Sequence, residues 1–135
     1  TILHVAPDVV EMMSEESGFD IEEHFDAVSW NEFNARNAAR ALEVARAKVG
    51  EAAKECVTES PNCPAANARI KIVMGDPAGR ILEELATGGY DLVVMGAHGH
   101  NSFMGMLLGG VAQKVLRHSL TPILFVRESV QAREA

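Results

Sequence analysis

The sequence predicts an α/β domain built on a mainly parallel open sheet with helices on both faces. Apolar, β-branched segments alternate along the chain with segments whose apolar residues recur every three or four positions. This alternation is typical of parallel sheets, because their crossover connections are usually helices. The chain has 135 residues, which is enough for one domain with a hydrophobic core, and we expect residues 1–135 to form a single domain.

Four segments have the composition of β-strands. They are rich in valine, isoleucine and leucine, and proline, glycine or polar turn residues lie at their ends. In chain order they are Thr1–Pro7, Ala68–Gly75, Tyr90–Gly96 and Thr121–Arg127. In the third, a continuous apolar run, Leu92–Met95, follows Tyr90 and Asp91.

Three segments are predicted to be helical: Ser29–Val57, Asp76–Gly89 and Gly110–His118. Ser29 followed by Glu32 has the spacing of a capping box, so we expect Ser29 to be the N-cap of the first helix. Asp76 is predicted to cap the second, with Pro77 in its first turn and glycines at its exit. The remaining segments are predicted to be connections or a fraying tail, namely Asp8–Trp30, Thr58–Asn67 and residues 128–135.

Composition and charge exclude several classes of partner. The formal net charge is -7 and no basic stripe is present, so we expect neither nucleic acid nor an anionic membrane surface as a partner. No segment has the pattern of a membrane span or a signal peptide. Cys56 and Cys63 do not make a disulfide framework, and we expect both to be free thiols in a reducing cytoplasm.

The segment GAHGHNSFMGMLLGG joins the third predicted strand to the last helix. Gly96 and Gly99 lie at its start, and Gly109 and Gly110 lie at its end. Without a Cβ, backbone N–H groups can approach a ligand, and the helix N-terminus adds a positive partial charge of about half a unit. The spacing predicts an anion site built from backbone, although the spacing alone is equally compatible with a loop whose glycines serve only turns. The segment matches neither the P-loop nor the dinucleotide-binding fingerprint.

The longer segment VVMGAHGHNSFMGMLLGGVAQKVLRHSLTPILFVR resembles the C-terminal third of the universal stress protein family. Nucleotide-binding members of that family carry G-x2-G-x9-G-(Ser/Thr), and Gly96, Gly99 and Gly109 fall on its three glycines. The segments GDPAGRIL and LHVAP are also similar to the family. The resemblance implies an adenine nucleotide alpha hydrolase-like fold. It also implies ATP or AMP as the ligand, with Mg²⁺ bridging phosphates, and a homodimer with a role in stress response or signalling.

The resemblance also implies which residues hold the nucleotide. They are Val5, Met95, Gly96, His98, Gly99, Gly109, Gly110, Val111 and Ala112. The glycines and the backbone of residues 110–112 would hold phosphates and ribose, and Met95 and Val5 would line the nucleoside pocket. His98 would meet phosphate or sugar, or would anchor the turn through its ring.

The sequence departs from the family pattern in two places. Gly110 stands where the family has serine or threonine, which removes a hydroxyl contact worth about 1 kcal/mol. The family's opening strand and helix, which supply the aspartate that recognises adenine, have no counterpart before Thr1. We therefore expect a further N-terminal piece, or a second chain, to supply them.

The last apolar strand, Pro122–Val126, is predicted to lie at the edge of the sheet, where proline is tolerated. A bare apolar edge tends to pair with another chain. We therefore expect a symmetric homodimer in which two copies of this strand lie antiparallel, as the family resemblance also implies.

Three functions stay open on the sequence. The first is a nucleotide-binding stress or signalling protein, the second is a slow ATPase or adenylate-handling enzyme, and the third is a dimeric interaction protein without nucleotide. No Ser/His/Asp or Cys/His constellation can be assembled, so no catalytic residue is predicted. The histidines show no metal-ligand spacing, and no metal-binding residue is predicted.

Overall fold

The computed structural model describes residues 1–8, 26–99 and 108–127. In chain order the elements are β1 Ile2–Ala6, α1 Ala27–Glu59, a 3-10 helix Pro64–Asn67, β2 Ile70–Met74, α2 Pro77–Gly88, β3 Val93–Gly96, α3 Gly110–His118 and β4 Ile123–Val126. Most of the connection predicted at Asp8–Trp30, the middle of the glycine-rich segment and the tail lie outside the described residues. The chain divides into two compact units, Thr1–Pro77 and Ala78–Ala135, and the single domain stays a prediction.

In the first unit, β1 and β2 pair in parallel over their whole length, with Ile2 opposite Ile70. Helix α1 packs on both strands. Its Trp30 and Ala45 are buried, and most of its other residues are exposed. Gly75 directly follows β2 and has a φ of 127°, a backbone conformation that residues with a Cβ rarely adopt.

Helix α1 begins two residues before the predicted start, and Asp26 is its N-cap instead of Ser29. Asp26 has extended backbone, and its carboxylate accepts hydrogen bonds from the N–H groups of Val28 (3.2 Å) and Ser29 (3.0 Å). The prediction that Ser29 caps the helix is therefore wrong. Ser29 lies inside the first turn, where it donates to the cap.

The expectation of two free thiols is also wrong, because Cys56 and Cys63 form a disulfide. Cys56 lies in the last turn of α1, and Cys63 is the N-cap residue of the 3-10 helix. A tight turn after the helix brings their Cα atoms to 6.0 Å, within the ordinary range for a disulfide. The disulfide therefore links the last turn of α1 to the segment that connects this helix to β2.

In the second unit, β3 and β4 also pair in parallel, with Val94 opposite Leu124 and Met95 opposite Phe125. Met95 and Phe125 are half-buried on one face of the pair, while Val94 and Leu124 are exposed on the other. Helix α2 ends at glycines as predicted, and Gly89 has a φ of 63°. The capping role of Asp76 stays a prediction.

The cap of α1 predicts a stability difference that depends on pH. Hydrogen bonds from the hydroxyl and the N–H of Ser29 hold the pKa of the Asp26 carboxyl below its usual value. The stabilisation is therefore complete above the unfolded pKa, about 3.9, and is lost as pH falls through the lower folded pKa. Asp26→Ala should lower Tm at pH 7. Asp26→Asn keeps an acceptor oxygen and should lower it less.

The measurement is a set of paired thermal melts between pH 7 and pH 2. Because Asn does not titrate, the Tm difference between wild type and Asp26→Asn should shrink as the pH falls. A difference that stays constant over this range would show that the carboxylate charge does not stabilise the helix.

Candidate anion-binding site

Ala97 follows the last residue of β3 and joins that strand to both β4 and the start of α3. Its N–H donates to the carbonyl oxygen of Val126 (2.8 Å), and its own carbonyl oxygen accepts from the N–H of Gly109 (2.8 Å). Ala97 is completely buried, and Gly109 is buried as well. The two ends of the glycine-rich segment therefore lie one hydrogen bond apart, at the carboxyl end of β3. The structure thus brings Gly96 and Gly99 together with Gly109 and Gly110.

Helix α3 begins beside this hydrogen bond without a side-chain cap. Gly109 is its N-cap, with φ -70° and ψ 165°. The first backbone bond of the helix runs from the N–H of Gln113 to the carbonyl of Gly109 (2.9 Å). The N–H groups of Gly110, Val111 and Ala112 precede that bond and have no carbonyl within the helix to bind. They give the helix start a positive partial charge, which favours an anion.

The backbone conformation does not explain the glycines of the site. Among the described residues, the glycines with positive φ are Gly75 and Gly89, both outside the glycine-rich segment. A Cβ built on Gly96 would lie in ordinary contact with the His98 carbonyl, 3.6 Å away. A Cβ on Gly99 or Gly110 would meet no described protein atom within 4 Å. Among the described residues, neither the backbone conformation nor a neighbouring atom therefore requires glycine at Gly99 or Gly110.

Gln113 is part of the site, and the sequence interpretation missed it. Its side-chain Nε2 donates to the carbonyl oxygen of Leu108 (2.9 Å), while its backbone N–H binds the carbonyl of Gly109. Both carbonyl oxygens are thereby paired with Gln113. A glutamine in the first turn of a helix whose N-cap lacks a side chain is the signal that would have identified it, because a side-chain amide can reach the backbone before the helix.

The structure gives the positions of the other predicted site residues, Met95, His98 and Val5, but it does not test their roles. Met95 is half-buried in β3, and His98 is exposed directly after Ala97. Val5 lies in β1, opposite Val73, in the first unit. The predicted contacts of these three residues with a nucleotide stay predictions.

Within residues 1–8, 26–99 and 108–127, no group of three or more His, Cys, Asp or Glu side chains is arranged to hold a metal ion. No helix in the same ranges combines the length and the apolar character needed to cross a bilayer.

Comparison with known proteins gives this geometry a family context. The sequence profile of the Universal stress protein family matches residues 1–127. Universal stress protein YxiE of Bacillus subtilis is 31% identical over 128 residues, which are 94% of this chain and 78% of YxiE. Universal stress protein MJ0577 of Methanocaldococcus jannaschii is 36% identical over 56 residues, which are 42% of this chain and 35% of that protein.

A solved structure is similar as well. The structure of MJ0577, published as a structure-based assignment of the biochemical function of a hypothetical protein, has a TM-score of 0.65 to this chain at 26% identity. The match covers 94% of this chain and 74% of the MJ0577 chain. The predicted α/β fold class, with parallel strands and helices, is confirmed.

A Cβ on Gly110 would meet no described atom within 4 Å, and this predicts the effect of adding a methyl group there. Gly110→Ala should leave the fold intact and raise the free energy of unfolding by about 0.4–1 kcal/mol, because alanine restricts the unfolded chain and fits the helical backbone. The matched control is Gly89→Ala. That alanine would have to adopt a φ of 63°, which should cost roughly 1–2 kcal/mol.

Urea unfolding of the two variants and the wild type measures both effects, provided that the m-value is unchanged. A Gly110→Ala variant that is destabilised as much as Gly89→Ala would mean that the fold itself requires this glycine.

Proposed function

The chain belongs to the universal stress protein family, and on that basis we propose that it binds an adenine nucleotide, ATP or AMP, at the anion-binding site. The main support is the start of α3, where the N–H groups of residues 110–112 have no carbonyl within the helix to bind and the N-cap Gly109 supplies no side chain. A phosphate carries acceptor oxygens on all sides, so it suits a cradle of N–H groups at a helix N-terminus.

In this proposal the backbone of residues 110–112 binds phosphate oxygens, and the segment from Gly96 to Gly99 borders the ribose and phosphates. The bond between Ala97 and Gly109 holds both parts in place before the ligand arrives, so that little ordering entropy is lost on binding. Met95 lines the nucleoside pocket, and His98 contacts phosphate or sugar. Gly110 offers no hydroxyl to the phosphates, and its Cβ position meets no described atom within 4 Å.

Any Mg²⁺ in this proposal is held by the phosphates and water. The described residues include no cluster of three acidic, histidine or cysteine side chains that would hold it. The proposed role is nucleotide-dependent stress response or signalling through binding rather than turnover. Because nucleotides are cytoplasmic metabolites, the proposal places the protein in the cytoplasm.

Nucleotide binding is tested by calorimetry and thermal melting with ATP and Mg²⁺. At 100 times its dissociation constant, a ligand stabilises the native state by about 2.7 kcal/mol. Gly110→Val should weaken ATP binding by at least about tenfold, because the branched side chain fills the space that the phosphates need. Gly50→Val is the matched control. Gly50 lies in α1 and also has no atom within 4 Å of its Cβ position.

Equal affinity for ATP in wild type, Gly110→Val and Gly50→Val would refute the site. A wild-type protein whose stability does not respond to millimolar ATP with Mg²⁺ would refute nucleotide binding, and would favour a dimeric interaction protein.

The proposal includes a homodimer formed through the strand Pro122–Val126. Within the described residues, β4 has one hydrogen-bonded neighbour, β3. No described strand pairs with its other edge, and the proposal places a second copy of the same strand there. Leu124 and Val126 are each 52% exposed, so the strand also presents apolar side chains that a partner would cover.

Light scattering at micromolar concentration tests the dimer. The wild type should have twice the mass of one 14.5 kDa chain. Phe125→Pro should be monomeric, or should aggregate. The carbonyls of Pro122 and Val126 face β3, so the N–H of Phe125 faces the other edge of β4, and proline removes that donor. Leu120→Ser changes a fully exposed leucine outside the strand and should stay dimeric. A wild-type mass of one chain would contradict the dimer.

A further inference from the structure

The two cysteine residues of the Cys56–Cys63 bridge differ in exposure. Cys56 is an exposed residue in the last turn of α1, whereas Cys63 is 6% exposed. A thiolate breaks a disulfide by attacking one of its sulfurs, and the choice depends on access and on which sulfur leaves more readily. Exposure therefore directs an incoming thiol to Cys56.

The local hydrogen bonds favour the same direction. The Sγ of Cys63 accepts the N–H of Ala65 at 3.4 Å. A donor on this sulfur stabilises the thiolate that leaves when Cys56 is attacked, and a thiolate stabilised in this way leaves faster. The backbone around Cys63 is also fixed, because its N–H donates to Ser60 (2.9 Å) and its carbonyl accepts from Ala66 (3.1 Å).

We propose that the Cys56–Cys63 bridge is a site of reversible thiolation by low-molecular-weight thiols. The thiolate of a molecule RSH attacks the Sγ of Cys56, so that a Cys56–S–SR bond forms and the Cys56–Cys63 bond breaks, with the electron pair leaving on Cys63. The Cys63 thiolate is the resolving group. It attacks Cys56 again, restores the bridge and releases RS⁻.

A second thiol completes the reduction. It attacks the R sulfur of the mixed disulfide, which gives RS–SR and the Cys56 thiol. Two thiols thus supply the two electrons that convert the bridge to two thiols. Disulfides in a reducing compartment are usually transient and catalytic or redox-sensing, which fits a bridge with one exposed cysteine in the cytoplasmic location proposed above. The exchange chemistry itself does not depend on nucleotide binding.

The effect of exchange is local to the end of α1 and the connection to β2. The bridge spans a sequence separation of seven residues, and Ser60 donates to the carbonyl of Cys56 (3.0 Å) inside that span. Opening the bridge frees this turn from its covalent closure while the backbone bonds remain. Resolution is fast for the same reason, since the two sulfurs stay within one short loop.

The first measurement maps the adduct on the wild-type chain with reduced glutathione as the probe. The purified protein is incubated with glutathione, quenched in acid, and its free thiols are blocked with N-ethylmaleimide. Both cysteines fall in the tryptic peptide Glu55–Arg69, and fragment ions between them distinguish the two sites. We expect glutathione on Cys56 and N-ethylmaleimide on Cys63, with a preference of at least about tenfold.

An adduct mainly on Cys63, or divided equally between the sulfurs, would overturn the proposal. So would two free thiols in protein that has been exposed to oxidised glutathione and then denatured without reductant, because the bridge would then not form.

Single variants supply an independent readout. In Cys63→Ser, the remaining Cys56 thiol should form an adduct with oxidised glutathione that nothing in the chain resolves. In Cys56→Ser, the remaining Cys63 thiol should react at least about tenfold more slowly in the folded protein, and at the same rate as Cys56 in urea. Equal rates in the folded variants, verified by circular dichroism, would contradict the asymmetry. If either variant fails to fold, the wild-type adduct map decides.

Discussion

A single hydrogen bond, from the N–H of Gly109 to the carbonyl of Ala97, sets the geometry on which the site depends. It ties the residue after β3 to the residue before α3, across a segment of eleven intervening residues. Ala97 also bonds to Val126 at the end of β4, so the site is fixed to the strand pair that supports it. Both partners of the bond are buried from water, where a broken hydrogen bond leaves costly unpaired groups.

The candidate site combines glycines, which have no side chain, with the side chain of Gln113. Neither the backbone conformation nor any described protein atom requires glycine at Gly99 or Gly110, and Gly110 carries the first N–H of α3 that lacks a carbonyl within the helix. Gln113 complements this arrangement, because its side chain and its backbone N–H bind the carbonyl oxygens of Leu108 and Gly109, which precede the helix. Pre-formed donors of this kind bind an anion without rearrangement, which is why we assign the nucleotide to this end of the sheet.

The positions of the helices and strands were predictable, because apolar spacing and the proline, glycine and turn residues at their ends determine them. Helix α3 has the predicted bounds, and each strand lies within its predicted segment. The cap of α1 was not predictable in the same way, because Asp26 and Ser29 are both good capping residues and the fold decides which one has extended backbone. The disulfide depends on a turn that brings the Cα atoms of Cys56 and Cys63 to 6.0 Å, and sequence separation does not determine that distance. Ala97 acts through its backbone N–H and carbonyl, so its residue type could not indicate its role.

The central claim, that phosphate binds the N–H groups at the start of α3, is tested most directly by NMR. Titration of isotopically labelled protein with ATP and Mg²⁺ reports on each backbone N–H separately. The account predicts the largest saturable shifts at Gly110, Val111 and Ala112, with smaller shifts at Gly96 and Gly99. Millimolar ATP that leaves these N–H signals unmoved, or that shifts residues elsewhere in the chain instead, would contradict it.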